Sequence, residues 1–166
     1  MALALVALGV VAAWARWPTS PLPPGVHANK VVVRKSARVL ELYDGTRLLR
    51  TYHVSLGQHP VGHKQQESDG RTPEGQYVLD YRNPHSSFHL ALHISYPSQA
   101  DVASAKKRGL DPGGLVMVHG LRNGLGWLGR LHTFVDWTDG CVAVTDSEIE
   151  EIWRTVPDRT PILIEP

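Results

Sequence analysis

Only one stretch of this chain repeats its apolar residues with helical period across a whole face: Ile149, Ile152, Trp153 and Val156. Thr145 and Glu148 precede it at capping-box spacing, and Pro157 stops it. Elsewhere the apolar residues come in runs of strand length, cut by 15 glycines and 12 prolines in 166 residues. Such punctuation predicts a mostly β domain with one or two helices, the second over Asp101 to Arg108.

The expected strands follow in order. Val31 to Val33 opens the folded part. Val39–Tyr43 and Leu48–Leu56 flank Asp44-Gly45, a short hairpin signal because both residues tolerate positive φ. His59 to Gly75 is polar and reads as a loop, with Asp69 and Glu74 as solvated charges. Gln76–Tyr81, Phe88–Ser95, Leu115–His119 and Thr160–Glu165 read as further strands, the second by strict alternation of apolar and polar residues. Leu121 to Trp137 is a long loop with Gly124, Gly126 and Gly129, and a loop of that length in a compact domain is usually functional.

The N-terminus has a different character. Ala2 to Ala15 is apolar or small throughout, too short for comfortable passage through a hydrocarbon core, which takes about 20 residues. It reads as the hydrophobic region of a signal peptide with Ala13-Trp14-Ala15 as cleavage site, or as a short anchor, so residues 1–17 predict export to the periplasm or cell envelope. Residues 18–29 read as a proline-rich linker and residues 30–166 as one folded domain. With 17 basic and 16 acidic residues the chain has no charge excess to draw it to nucleic acid. The expected membrane contact is through the N-terminal segment alone.

Cys141 is the single cysteine, so it has no intrachain disulfide partner. It is either a small buried hydrophobe or a nucleophile. Gly140 before it lets the backbone turn and leaves the thiol open to approach. His119-Gly120 ends an apolar strand upstream and offers an imidazole to take the thiol proton. His85, His89 and His93 are spaced by four, but no acidic or cysteine partner stands at a recognisable ligand spacing, so they read as solvent-facing or cleft-lining, and neither a metal nor another cofactor is expected.

His119-Gly120 followed by Thr138-Asp139-Gly140-Cys141-Val142 resembles the signature of the L,D-transpeptidase catalytic domain (YkuD-type) family of bacterial cell-wall enzymes. The resemblance runs from about Lys30 to Pro166. It includes Val54-Ser55-Leu56-Gly57, Arg71-Thr72-Pro73-Glu74-Gly75-Gln76-Tyr77, Ile94-Ser95-Tyr96-Pro97 and Gly113-Gly114. It implies a β-sandwich-like domain and a thioacyl-enzyme mechanism on peptidoglycan tetrapeptide stems. Cys141 is then the nucleophile and His119 the base and acid. The Gly120 carbonyl orients the imidazole, and the Gly140 and Cys141 N–H groups hold the oxyanion. Thr138, Asp139, Trp137 and Arg71 are the expected substrate contacts, and Trp127 is either core or cleft wall. The acceptor is an amine of a second stem, giving a 3→3 cross-link, or water, giving a carboxypeptidase or amide hydrolase. A silent wall-binding module would keep the groove without the chemistry. Thr138 stands where the family commonly has serine, Asp139 where histidine is frequent, and Ala143 where arginine or asparagine is common. That local pattern resembles a proteobacterial murein branch and bears on which acceptor is used.

Overall fold

The computed structural model describes residues 20–166. The apolar N-terminal run and its expected cleavage site lie outside them, and among the described residues no helix is long and apolar enough to cross a membrane. Eight strands form one sheet: β1 (Lys30–Arg34), β2 (Val39–Asp44), β3 (Arg47–His53), β4 (Gly75–Ser86), β5 (His89–Ile94), β6 (Met117–His119), β7 (Val142–Ala143) and β8 (Thr160–Glu165). Helix α1 (Gln99–Lys107) joins β5 to β6, and α2 (Asp146–Thr155) joins β7 to β8. The strand order is β3-β2-β1-β8-β4-β5-β6-β7, with β1 parallel to β8 and β6 parallel to β7.

The two edges of this sheet meet. Past β3 the chain crosses to the far edge, where Ser55 bridges Ala143 and Gly57 bridges Thr138. The open edges are thereby covered, which removes the unpaired backbone an exposed edge would present. It also carries the Val54–Gly57 segment to the Cys141 turn. Inside the curl lies one apolar cluster, with Val31, Val33, Leu40, Leu42, Leu92 and Ile94 all essentially inaccessible. Each large side chain buried this way contributes about 1.5–3 kcal/mol of transfer free energy.

Helix α2 seals the core against β5 and β6. Its predicted capping box is present: the Thr145 hydroxyl accepts from Glu148 N–H, and Glu148 accepts from Thr145 N–H at 2.9 Å. Ile149, Ile152 and Val156 are fully buried along the predicted face, and Trp153 packs at its margin. Helix α1 starts two residues earlier than expected because Ser98 and Asp101 form a second capping box.

Several strand limits differ from expectation. The hairpin turn is Gly45-Thr46, one residue later than predicted, since Asp44 still pairs with Arg47. Gly45 takes the positive φ (60°), and its N–H donates to Asn29 Oδ1 at 2.8 Å. β3 ends at His53 because the chain leaves for the opposite edge. β4 runs on through Pro84, which sits where the β4–β5 register slips and a ladder N–H is dispensable. Leu115 has φ 54°, so β6 begins only at Met117. Residues 20–29 lie along the domain: Leu22 N–H donates to Glu151, and Ala28 N–H donates to the Thr155 carbonyl at 2.8 Å.

The 59–75 loop is held by charge, which corrects the solvated reading of Asp69 and Glu74. Lys35, buried in β1's extension, donates to the Gly62 and Thr72 carbonyls and to Glu74 at 2.7–2.9 Å. Asp69 accepts from the backbone N–H groups of Gln65, Gln66 and Arg71 and from Lys64 Nζ. These bonds hold the Asp69 carboxyl below the usual carboxylate range, although its burial acts first and in the opposite direction.

Candidate active site

β6 and β7 are short parallel neighbours with Val118 opposite Val142 and His119 opposite Ala143. Continuing that register one step back sets Cys141 beside Met117. Side chains two apart on a strand share a face, so Cys141 and His119 project from the same side of the sheet. They open onto a cleft of about 820 Å³ whose walls include Phe88, Leu121, Leu128, Leu131 and Trp137.

The thiol is half-buried, with Met117 N–H donating to Sγ at 3.4 Å and the Leu115 carbonyl 3.8 Å away. His119 is 4% exposed, and its Nδ1 lies 2.6 Å from the Gly120 carbonyl oxygen. A carbonyl only accepts, so Nδ1 carries the proton and Nε2 is left as the basic nitrogen. The imidazole is clamped by Phe88 (ring centroids 4.6 Å apart) and by Trp137 edge-on (5.8 Å).

Burial lowers the His119 pKa below the ordinary imidazole value, against a smaller opposing pull from the Gly120 carbonyl. Burial pushes the Cys141 thiol up; Asp139 adds to this, while the Met117 N–H and Lys64 oppose it. Both shifts favour uncharged forms, so the resting pair is a neutral thiol beside a neutral imidazole. Alkylation of Cys141 by iodoacetamide, followed against pH by mass spectrometry, is therefore expected to have its midpoint above the free-cysteine value of about 8.5. A midpoint at or below that value would mean a preformed thiolate.

Thr138 and Gly140 differ from their expected roles. The Thr138 side chain is 5% exposed and fully engaged: its hydroxyl donates to the Cys141 carbonyl at 2.8 Å and accepts from Gly140 N–H at 3.1 Å. The Thr138 hydroxyl is thus used within the turn, although the residue lines the cleft, and the Gly140 N–H is already committed. Among the described residues, the Cys141 N–H finds no acceptor, unlike that of Gly140. Gly140 has φ 133°, and a Cβ there would lie 2.5 Å from the Arg71 carbonyl oxygen.

Arg71 approaches the turn by that carbonyl, whereas its side chain lines a neighbouring depression of about 610 Å³ with His59, Gln65 and Asp69. Asp139 is exposed at the cleft mouth, 3.5 Å from Gln58 Nε2. Trp137 walls the cleft as expected. Trp127 is 60% exposed and belongs neither to the core nor to the cleft walls. Ala143 is fully buried, exchanges backbone hydrogen bonds with Ser55 and is not among the residues lining the cleft. His89 and His93 find carboxylates after all, Glu150 at 2.8 Å and Asp80 at 2.6 Å, partners too distant in sequence for spacing to reveal.

Sequence reasoning gave Phe88 no role beyond its strand and His132 none beyond a possible cleft contact, and both line the cleft. His132 accepts and donates through Ser55: Ser55 Oγ–H donates to the His132 carbonyl at 2.8 Å, and Nδ1 faces Oγ at 3.0 Å. Burial first, then the proximity of His119, pushes its pKa down to about 4. Its only sequence signal was membership of the long glycine-bearing loop, which folds as a 3-10 segment, Gly126–Phe134, broken at Gly129.

The curled, mostly β sheet thus holds a carbonyl-bound histidine on β6 and a cysteine immediately before β7, and its fold is that of an L,D-transpeptidase catalytic domain. Residues 28–164 match the L,D-transpeptidase catalytic domain (YkuD), and the chain belongs to that family. The protein YafK of Escherichia coli (strain K12) is 26% identical over 132 residues, 76% of this chain and 46% of that protein. Among solved structures, the helical cell shape determining protein Pgp2 from Campylobacter jejuni superposes with TM-score 0.64 at 23% identity, covering 95% of this chain and 54% of that one. Bd1075 of Bdellovibrio bacteriovorus gives TM-score 0.56 at 25% identity over 89% of this chain and 52% of its own. The chain thus spans about half the length of these relatives.

Proposed function

We propose that this protein is a cell-envelope cysteine acyltransferase that acts on the tetrapeptide stems of peptidoglycan. The observation that supports it best is the Gly120-held imidazole sharing a sheet face with the only thiol. Cys141 Sγ attacks the carbonyl carbon of the third stem residue while His119 Nε2 takes the thiol proton. The Cys141 N–H donates to the oxygen as it gains charge. His119 returns the proton to the departing D-alanine amine as the C–N bond breaks, leaving a thioester. An amine of a second stem then attacks that carbonyl, giving up a proton to His119, and the thiol is released with a 3→3 link formed. Water in the amine's place gives a shortened stem. Such a substrate lies outside the cytoplasmic membrane, in keeping with the apolar run Ala2 to Ala15 as an export signal or anchor.

Incubation with purified tetrapeptide muropeptides, read by mass spectrometry, tests this. Dimers that have lost one D-alanine are the expected product. Shortened monomers alone would make the enzyme a hydrolase, and unchanged muropeptides would remove the stem peptide as substrate.

A further inference from the structure

Lys64 is 4% exposed, within the 59–75 loop, and no sequence pattern marks it. Its Nζ lies 2.9 Å from Asp69 Oδ1 and 3.5 Å from the Asp139 carbonyl oxygen. It is also 3.6 Å from the point where a Cβ on Gly140 would stand. A buried ammonium is costly unless paired; this one is paired with Asp69 and turned toward the backbone that carries Cys141.

The consequence follows from the peptide units of that turn. The Asp139–Gly140 unit is pinned at both ends: its carbonyl faces Lys64, and its N–H donates to Thr138 Oγ1 at 3.1 Å. The Cys141 carbonyl is pinned by the Thr138 hydroxyl at 2.8 Å. Between these two clamps, the Gly140–Cys141 unit keeps its N–H free to face an incoming carbonyl oxygen. Thr138 supplies two of the three restraints, and Lys64 supplies the third from the opposite side.

We propose that Lys64 is a positioning residue for acyl transfer, holding the Asp139 carbonyl so that the Cys141 N–H points at the oxyanion and setting a positive charge behind the nucleophile turn. This rests on the acyl-transfer reading for its catalytic part; its electrostatic part stands on the thiol alone. The charged and titratable groups facing this corner are Asp139, Asp69, Arg71, His59 and His119. Of these, Asp139 acts on the thiol in the sense opposite to Lys64.

Three variants separate positioning from mere loop support: Lys64→Met, Lys64→Arg and Asp69→Asn, each first checked for cooperative melting. In Lys64→Met the pH midpoint of Cys141 alkylation is expected to rise by about half a unit to one unit, below the one to three that a charge in direct contact gives. Its kcat on stem peptides is expected to fall roughly tenfold or more, with KM within about twofold, as a misdirected donor affects the transition state alone. Lys64→Arg keeps the charge and restores the midpoint. Asp69→Asn breaks the same ion pair but leaves the ammonium, so its midpoint stays or falls. If Lys64→Met and Asp69→Asn shift the midpoint alike, or neither moves it, Lys64 only braces the loop and the proposal is overturned. Alkylation needs no substrate, so a wrong stem assignment would leave this outcome readable.

Discussion

A Cys141→Ala protein folds as the parent does and transfers no acyl group. The side chain sits in the open floor of the cleft, and alanine removes one sulfur without leaving a sealed cavity, so the melting temperature is expected to stay within a few degrees. Activity, by contrast, should fall by about a thousandfold or more, because the remaining oxyanion donor and binding contacts supply only the residual rate that nucleophile deletions leave. The direct measurement is intact-protein mass spectrometry after mixing with tetrapeptide stems. Wild type should carry the mass of one acyl group, and Cys141→Ala none. An adduct on the variant, or undiminished product, would move the nucleophile elsewhere.

Gly140→Ala and Gly57→Ala should cost more stability than any other glycine substitution near the site. The Gly70–Arg71 backbone is pressed between these two positions. A Cβ at Gly57 would stand 2.2 Å from the Gly70 carbonyl oxygen, and one at Gly140 would stand 2.5 Å from that of Arg71. Both obstacles are backbone in a loop pinned by Asp69 and Lys35, so neither can yield cheaply. Overpacking of this kind costs about 1–3 kcal/mol, and Gly140, at φ 133°, adds strain of similar size. A loss of about 3 kcal/mol or more for Gly140→Ala corresponds to a melting temperature lower by roughly 10 °C. Gly109→Ala serves as the comparison, since Gly109 has φ 68° but open space around it, and should lose only about 1 kcal/mol. Gly57 has no positive φ, so a loss there no larger than that at Gly109 in thermal melts would mean that the packed loop does not set the cost.

The same packing explains what was legible in the chain. The capping box of α2, its apolar face and the alternation in β5 rest on neighbours within a few residues, and local pattern found them. Cys141 and His119 were paired in the sequence by the Gly-Cys and His-Gly steps and by the family resemblance, and the β6–β7 register sets them on one sheet face. Asp69 and Glu74 were misread, and Lys64 went unmarked, because loop charges look solvated until the fold buries them, and Lys35 is 39 residues from the Glu74 it meets. That the Thr138 hydroxyl spends two hydrogen bonds within the turn was not legible, because both partners are set by the turn's fold. Val54 to Gly57 is far from Cys141 in sequence, and only the closure of the sheet, through Ser55 and Ala143, brings it there.

The β1–β8 pairing also determines how the domain bears tension. Both strands run in one direction, with Val31 beside Ile162 and Arg34 beside Glu165, so a pull through the chain's two ends acts at opposite ends of the pair. The ladder is then loaded in shear, all its bonds sharing the force, instead of peeling open one bond at a time. Under such a pull the thiol and imidazole stay in register, because the load path runs through β1 and β8, separated from β6 by β4 and β5.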